Sequence, residues 1–296
     1  MTIPDASRQD AQISIVVPHY NDELRLRRCL HELESQIGPH TATEVVVVDN
    51  NSPQIDLEQL ADDFPWARFV SETIPGAAAA RNRGIAETTG SGLLFIDADC
   101  VPSSDWLTAA SQISDRHDIV GGRIDVFDET DPPRSGAEAF ETVFAFNNRR
   151  YIEQENFTVT ANLLARRSVF DDVGVFKPRV SEDKEWCQRA VKAGYRIEYA
   201  DSMSVRHPSR SDWQALKKKW QRLTDEAFAL EREEGTSRFA WRARASVVLV
   251  SPLLHAHKIL FSPKLSSPTE RLKGLVTLFC LRAHRAAWMV RQSTGR

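Results

Sequence analysis

Compact apolar runs alternate with helical stretches from residue 13 to about residue 97. The runs at 13–18, 44–49 and 92–97 are rich in β-branched or large apolar side chains, which predicts buried strands. A shorter strand is predicted at 67–71. The intervening segments have the apolar spacing or the composition of helices, at 26–37, 56–64 and 77–88. This alternation predicts an α/β fold with a mostly parallel, doubly wound sheet.

The pattern is less regular after residue 118. It predicts a strand at 118–127, a strand followed by a short helix within 157–170, and two short strands between 196 and 208. A helix is predicted at 181–195, with Ser181 as its N-cap. From Ser211 onward the chain has a helical pattern, so we expect an α/β domain at 12–210 and a helical region at 211–296.

Polar clusters follow three of the predicted strands. They are PHYND after the first, DNNS after the second and DAD after the third. Because ligands of open α/β sheets bind outside the carboxyl ends of the strands, we expect the three clusters to share one pocket. Asp97 and Asp99 can hold a hard divalent cation there, with a substrate diphosphate as its partner. Taken alone, such a pair is more typical of a turn or a helix cap than of a metal site.

Composition and charge narrow the class of protein. The chain has 296 residues, 42% of them hydrophobic and 27% charged, which is typical of a soluble globular protein. We expect neither a signal peptide in the polar first residues nor a membrane-spanning helix. The four cysteines are scattered, without metal-type spacing, and predict reduced thiols in a cytoplasmic protein.

The net charge of −3 conceals an uneven distribution. Residues 238–296 contain 11 Lys and Arg against one acidic residue, a net charge of +10 that leaves −13 on the rest. A basic tail on an acidic body indicates a polyanionic partner, either a membrane or a nucleic acid. The sequence has no recognisable nucleic-acid-binding module, so we expect no nucleic acid.

Six short motifs occur along the chain. In order they are VVPHYND (16–22), VVVVDNNS (45–52), GAAAARNRGI (76–85), FIDADC (95–100), TANLLARR (160–167) and SEDKEWCQRA (181–190). Their order and approximate spacing resemble those of family 2 glycosyltransferases, over roughly residues 12–210. The resemblance implies the GT-A fold, which is Rossmann-like, and inverting transfer of a sugar from a nucleoside diphosphate to an acceptor hydroxyl.

The resemblance also implies a cofactor, Mg²⁺ or Mn²⁺, that acts as a Lewis acid on the leaving diphosphate. Asp99 matches the principal metal-binding position of the family. Asp97 is expected closer to the ribose or to metal-bound water. His207 matches a region that completes the metal site in some relatives, although a lone histidine is also common as a structural residue.

Five positions match the nucleotide-binding side of the family. Asp49 and Asn50 correspond to residues that contact the base and ribose, and many relatives have a second Asp where this chain has Asn50. Arg81 corresponds to a basic residue that approaches the nucleotide. Pro18 and Tyr20 match the first nucleotide-lining segment, although Tyr20 is equally compatible with packing. We expect a nucleotide-sugar donor, a UDP-sugar first.

The acceptor side follows from the last two motifs. Asp183 matches the catalytic carboxylate, the general base that displacement requires. At a helix N-terminus we expect it to be ionised. Glu182 is expected to orient the acceptor or its loop, and Asn162 to face the donor sugar or the acceptor. Trp186 fits either an acceptor wall or an apolar helix face.

The basic tail allows two interpretations. In the last helix an apolar stripe from Leu272 to Val290 is flanked by arginines and lysines, including Arg282 and Arg285. Such helices either pack on the GT-A body or lie on an anionic membrane. The second interpretation predicts a peripheral protein at the inner face of the cell membrane, with a glycan or lipid-linked acceptor in polysaccharide biosynthesis.

Two other functional classes stay open from the sequence. A nucleotidyltransferase also combines nucleotides with carboxylate-held metal, but the segment after the first strand lacks the glycine-rich loop of that class. A non-catalytic nucleotide-sugar-binding module would need neither a base nor a metal site, so the carboxylates at Asp97, Asp99 and Asp183 disfavour it.

Overall fold

The computed structural model describes residues 12–38 and 42–294. The chain forms two compact units. The first comprises Met1–Asp125, Asn148–Pro178 and Glu182–His207, and the second comprises Val126–Asn147, Arg179–Ser181 and Pro208–Arg296. Residues 126–147, which the sequence placed in the α/β domain, therefore belong with the C-terminal helices.

One mixed sheet organises the strands. They are β1 (Ile13–His19), β2 (Thr43–Asp49), β3 (Arg68–Ser71), β4 (Gly92–Ile96), β5 (Val101–Pro102), β6 (Ile119–Phe127), β7 (Asn162–Arg166) and β8 (Ile197–Pro208), in the spatial order β3-β2-β1-β4-β7-β6-β8-β5. Strands β3, β2, β1 and β4 pair in parallel, whereas β7 runs antiparallel to both β4 and β6. The two short strands predicted between 196 and 208 are a single strand, β8.

Eleven helices complete the part of the chain that the structure describes. They are α1 (Glu23–Glu34), α2 (Leu57–Asp63), α3 (Ala77–Ala86), α4 (Trp106–Ile113), α5 (Gly136–Phe144), α6 (Asn148–Glu155), α7 (Arg167–Val173), α8 (Glu182–Lys192), α9 (Trp213–Glu233), α10 (Arg238–Leu260) and α11 (Pro268–Thr294). None of these helices is both long and apolar enough to cross a membrane.

Burial of the central strands forms the core of the first unit. Val16, Val46 and Phe95 lie on β1, β2 and β4 and have no exposed surface, as expected for strands covered on both faces. Trp186, on α8, is also fully buried and stacks on Phe170 with ring centroids 4.2 Å apart. Because Trp186 offers no surface to a sugar, this placement corrects the acceptor-wall interpretation in favour of the apolar helix face.

The second unit is a helical assembly of α5, α9, α10 and α11. Phe140, Leu216, Leu278 and Leu281 share its main apolar cluster. Glu141 is buried beside them, where its carboxylate accepts hydrogen bonds from Lys219 Nζ at 2.6 Å and from the backbone N–H of Arg210 at 2.7 Å. A buried carboxylate is tolerated here because it is paired.

The outer faces of α10 and α11 are apolar but exposed. The large apolar residues with substantial exposed fractions are Phe239, Val247, Leu249, Val250, Leu253, Leu254, Leu260 and Phe261 from the α10 segment and Leu272, Val276 and Phe279 from α11. The predicted stripe on α11 is therefore divided between a packed face and an exposed one. The predicted basic flanks also differ, because Arg282 and Arg285 lie on the inner side, over the ring of Trp220.

Candidate active site

The ends of β1 and β2 meet at a buried hydrogen-bonded pair. His19 lies opposite Asp49 in the parallel register, and its Nδ1 is 3.0 Å from Asp49 Oδ1. The backbone N–H of Asp22 donates to His19 Nε2 at 3.0 Å, so Nδ1 carries the proton and donates to the carboxylate. Sequence reasoning did not single out His19. Its place directly after Pro18, in the first motif, was the available signal.

Asp49 is held rigidly at the end of β2. It is 2% exposed, and its carboxylate also accepts from the backbone N–H of Ser52 at 2.9 Å and from Ser52 Oγ at 2.5 Å. An open pocket of about 550 Å³ lies beside it, lined mainly by polar side chains of the β2–α2 connection. Asp49 can therefore present a fixed acceptor edge to a ligand. Pro18 is half-buried on β1, and Tyr20 follows it with 63% of its surface exposed.

Asn50 clamps the loop that leads into α3. Its Nδ2 donates to the carbonyls of Glu72 at 3.0 Å and Ile74 at 2.7 Å, while its Oδ1 accepts from the backbone N–H of Gly76 at 2.7 Å. A carboxylate has no donor and could not satisfy the two carbonyls. These contacts give a physical reason for an amide at this position and occupy the polar atoms that we expected to face the nucleotide.

Arg81 links two carboxylates inside the first unit. It is 4% exposed, and its terminal nitrogens bond to Asp97 at 2.6 Å and to Glu182 at 2.8 Å. Arg81 lies on α3, Asp97 follows β4, and Glu182 begins α8, so a single guanidinium joins three elements. Each terminal nitrogen uses one N–H for these partners, so the nucleotide contact that we expected from Arg81 would have to come from the remaining N–H groups of the guanidinium.

Asp99 and His207 form the part of the site that fits a metal ion. His207 Nε2 lies 3.5 Å from Asp99 Oδ2, and with Cys100 they make a group whose candidate ligand atoms all lie within 4.8 Å of one another. Burial, together with the charge of Asp99, raises the pKa of the Cys100 thiol well above its ordinary value, so the thiol is neutral. One carboxylate oxygen and one imidazole nitrogen suit Mn²⁺ better than Mg²⁺, which prefers oxygen ligands.

Asp183 lies in the first turn of α8 and is partly buried. Burial and the neighbouring charge of Glu182 raise its pKa to about 6, against a hydrogen bond of 2.7 Å from the backbone N–H of Lys184 and the charge of Arg81. The helix terminus alone would lower the pKa, so burial outweighs the effect that we expected to dominate. At pH 7 roughly nine-tenths of the group is still ionised.

Asn162 is a structural connector. It has no exposed surface, its Oδ1 accepts from Trp106 Nε1 at 2.9 Å, and its Nδ2 donates to the carbonyls of Arg123 and Met203 at 2.9 and 2.8 Å. A side chain at Gly122 would collide with the Asn162 amide, so the two residues are matched. The expectation that Asn162 faces the donor sugar or the acceptor is corrected by these contacts.

Comparison with known proteins identifies the class to which this fold and site belong. Residues 14–174, more than half of the chain, match the sequence profile of Glycosyl transferase family 2. The chain belongs to the family 2 glycosyltransferases, which confirms the resemblance seen in the six motifs.

Two curated relatives cover most of the chain. It is 33% identical over 219 residues to glycosyltransferase AglE of Haloferax volcanii, an alignment that covers 70% of each protein. It is 29% identical over 230 residues to the pre-mycofactocin glycosyltransferase of Mycobacterium tuberculosis, covering 72% of this chain and 47% of that one. The chain thus spans about half the length of the mycobacterial relative.

Solved structures confirm the GT-A fold. The mannosyltransferase PcManGT from Pyrobaculum calidifontis, in complex with GDP-Man and Mn²⁺, superposes with a TM-score of 0.61 at 19% identity, covering 96% of this chain and 87% of that one. A TarS structure from S. aureus in complex with UDP-GlcNAc superposes with a TM-score of 0.53, also at 19% identity, covering 92% and 90%. At this identity the likeness concerns the fold alone.

Proposed function

We propose that the protein transfers a sugar from a nucleoside-diphosphate sugar to an acceptor hydroxyl with inversion at the anomeric carbon. The observation that carries this proposal is Asp183, whose raised pKa of about 6 makes it a stronger base than an ordinary aspartate while it is still ionised at neutral pH. Asp183 Oδ takes the hydroxyl proton as the acceptor oxygen attacks the anomeric carbon. The bond to the diphosphate oxygen breaks on the opposite face, and the diphosphate leaves with the electron pair.

Asp99 and His207 would hold Mn²⁺ or Mg²⁺ beside the donor, and their oxygen and nitrogen ligands favour Mn²⁺. Such a cation, when bound, neutralises charge that develops on the leaving diphosphate. Asp97 has a different part, since it holds the Arg81 guanidinium. Support comes from two proteins of the same fold that were solved with Mn²⁺, PcManGT and GalNAc-T7.

The donor that we propose first is a UDP-sugar, with a GDP-sugar as the competing choice. The pocket beside Asp49 is where the base would bind, because Asp49 presents a fixed acceptor to a base or ribose donor. TarS with UDP-GlcNAc and PcManGT with GDP-Man represent the two choices among proteins of this fold.

The test is isothermal titration with UDP, GDP, dTDP and CDP, each with and without Mn²⁺, on the wild type, on Asp99→Ala and on the control Asp62→Ala, an exposed residue of α2. Metal-dependent binding of one nucleotide that Asp99→Ala loses and Asp62→Ala keeps would support the site and name the base. Equal binding with and without Mn²⁺ would contradict the assigned metal ligands.

For the second unit we propose docking on an anionic membrane that presents a lipid-linked glycan acceptor at its inner face. The exposed apolar residues of α10 and α11 supply the contact area. Exposed basic residues accompany them, namely Arg238, Arg242, Lys258, Lys273 and Arg291. Glu270, the single acidic residue of residues 238–296, is buried and paired with Arg134, so it does not oppose an anionic surface.

Vesicle co-sedimentation tests this docking. Wild type should bind phosphatidylglycerol-containing vesicles and bind pure phosphatidylcholine weakly. The double variant Leu253→Glu/Leu254→Glu should lose at least about tenfold in affinity, because two apolar side chains of the contact become charged. The control Leu24→Glu changes a leucine of α1 that is 83% exposed and should bind like wild type. Equal binding by both variants would contradict the proposed face.

A further inference from the structure

The helical unit contains a pair of arginines that the proposed function does not use. Arg282 and Arg285 lie three positions apart on α11, and both guanidinium groups stand over the ring of Trp220 on α9, 5.4 and 5.1 Å from its centre. Cation–π contact with the indole stabilises each guanidinium group. The two charges repel each other, however, and a single indole serves both.

Neither arginine has an ionic partner within residues 12–38 and 42–294. Their Nε atoms are buried without a hydrogen-bond partner among these residues, while their terminal nitrogens are not among the buried unpartnered atoms. Three carboxylates of α9 have other partners. Asp225 accepts from Gln292, Glu226 pairs with Arg222, and Glu231 pairs with Arg244.

Among the described residues, no acidic side chain offsets the charge of the pair. Burial and the charges of Arg282 and Arg244 lower the pKa of Arg285 to about 10, and burial lowers the pKa of Arg282. Both groups are still charged at neutral pH. Both residues are only partly exposed, and a charge that is partly withdrawn from water without a partner destabilises a fold. Two adjacent, uncompensated guanidinium groups therefore indicate that a ligand supplies the missing charge.

We propose that Arg282 and Arg285 form a binding site for a phosphate or diphosphate group, with Trp220 as its wall. Guanidinium forks match the oxygens of phosphate in paired hydrogen bonds, and two cations match a doubly charged anion. The partly exposed terminal nitrogens are the atoms that such a group would reach. This site lies wholly in the second unit and goes beyond the transfer reaction proposed for the first.

Inorganic pyrophosphate and phosphate are the probes, added to the full chain in EDTA so that no divalent metal contributes. Calorimetry and thermal unfolding would compare wild type with Arg282→Gln, Arg285→Gln and the control Lys218→Gln, an exposed lysine of α9. Pyrophosphate should raise the Tm of wild type and of Lys218→Gln. Arg282→Gln and Arg285→Gln should each bind pyrophosphate at least about tenfold more weakly than wild type, since each loses charge-assisted hydrogen bonds.

The stability of the variants in anion-free buffer distinguishes an anion-binding site from a purely structural stacking of the two arginines on Trp220. Removing an unpaired, partly buried charge should leave the Tm of Arg285→Gln in anion-free buffer unchanged or raised. If the Tm of Arg285→Gln were below that of wild type by the same amount with and without pyrophosphate, the proposal would be overturned. Pyrophosphate binding by the double variant Arg282→Gln/Arg285→Gln would also overturn it.

Two further arms distinguish the source of the phosphate. If the double variant Arg282→Gln/Arg285→Gln loses binding to phosphatidic acid vesicles as well as to pyrophosphate, the ligand is a lipid phosphate. If it loses binding to pyrophosphate alone, the ligand is soluble. Asp99→Ala should retain pyrophosphate binding in EDTA, so failure of the metal-site assignment and failure of this site are separate outcomes.

Discussion

Arg81 and Glu182 are separated by 101 positions in the chain, and an ion pair of 2.8 Å joins them. The same guanidinium also holds Asp97 at 2.6 Å. The charge of Arg81 therefore holds two parts of the site together. They are Asp97, which follows β4, and the first turn of α8, which carries Asp183. The position of Asp183, the candidate base on α8, therefore depends on Arg81, which belongs to a different helix, α3.

Replacing Arg81 should affect both stability and the pH profile. Arg81→Gln leaves Asp97 and Glu182 without their shared cation, and breaking such a buried pair costs about 3–5 kcal/mol in the free energy of unfolding. Since the charge of Arg81 lowers the pKa of Asp183, its removal should move the acid limb of kcat/KM to higher pH. Urea unfolding and a pH–rate profile would measure the two effects.

The control for that change is Arg83→Gln, because Arg83 lies on the same helix and pairs with Glu87 near the surface. It should alter the free energy of unfolding by less than about 1 kcal/mol. An acid limb that stays in place in Arg81→Gln would contradict the coupling to Asp183.

Asp183→Asn should abolish most of the activity while donor binding persists. General base catalysis contributes about 10²–10⁴-fold, so kcat should fall by that factor. In the wild type, kcat/KM should decline tenfold per unit below a pH of about 6, as the carboxylate protonates. The control Asp171→Asn, an exposed residue of α7, should retain wild-type turnover. Equal turnover in both variants would refute the base assignment and support a binding module.

The raised pKa of Asp183 also predicts a stability trade-off. A pKa of about 6 in the fold, against 3.8 as the ordinary value, means that the native state binds the proton more tightly than the unfolded chain. Stability from this group therefore rises as pH falls from about 6 towards 3.8, and above pH 6 the ionised group destabilises the fold. Asp183→Asn should be more stable than wild type at pH 8, by about 1–3 kcal/mol.

Chemical unfolding of both proteins at pH 8 and at pH 4 would measure that difference. The advantage of the variant should shrink at the lower pH, where the wild-type carboxyl is also neutral. A variant that is less stable than wild type at pH 8 would show that the hydrogen bond from Lys184 outweighs burial.

Asn162→Ala should destabilise the protein and leave substrate KM unchanged in the folded fraction. The substitution leaves the Trp106 indole N–H and two backbone carbonyls unpaired in the core. Each unsatisfied buried group costs about 1–3 kcal/mol. Calorimetric Tm and KM would be compared with those of Gln214→Ala, which changes an exposed amide residue of α9. A changed KM at unchanged Tm would restore a substrate role for Asn162.

His207→Asn should raise the Mn²⁺ concentration required for half-maximal activity by about tenfold or more, because it removes an imidazole that suits Mn²⁺. The preference for Mn²⁺ over Mg²⁺ should also decrease. The control His117→Asn removes a histidine that pairs with Glu198 near the surface and should behave like wild type. A metal requirement that is unchanged in His207→Asn would assign His207 a structural role.

The central strands could be predicted from sequence because their signal is local. The runs at 13–18, 44–49 and 92–97 became β1, β2 and β4 with ends shifted by one residue. Helix α5 gave no comparable signal, since Glu138 and Glu141 occupy buried positions that partners elsewhere in the chain make tolerable. A hydrophobic pattern depends only on the type of each residue along the chain, so it cannot show partners that distant segments contribute.

The site shows the same division. The motifs singled out Asp97, Asp99 and Asp183 by residue type and position alone. The sequence did not show the surroundings of each group in the folded protein. His19 acquires its role from a carboxylate 30 positions away, and the pKa of Asp183 follows from burial that appears only in the folded chain. The roles of Asn50 and Asn162 depend likewise on carbonyls brought in by distant segments.

Cys280 differs from the other three cysteines. Cys29, Cys100 and Cys187 are buried, and burial raises the pKa of each thiol, so they resist alkylation in the native protein. Cys280 is exposed beside Phe279 on the outer side of α11. A maleimide dye would therefore label one defined position of the unmutated chain. Its emission colour would then report, without any substitution, whether that helix face enters a bilayer.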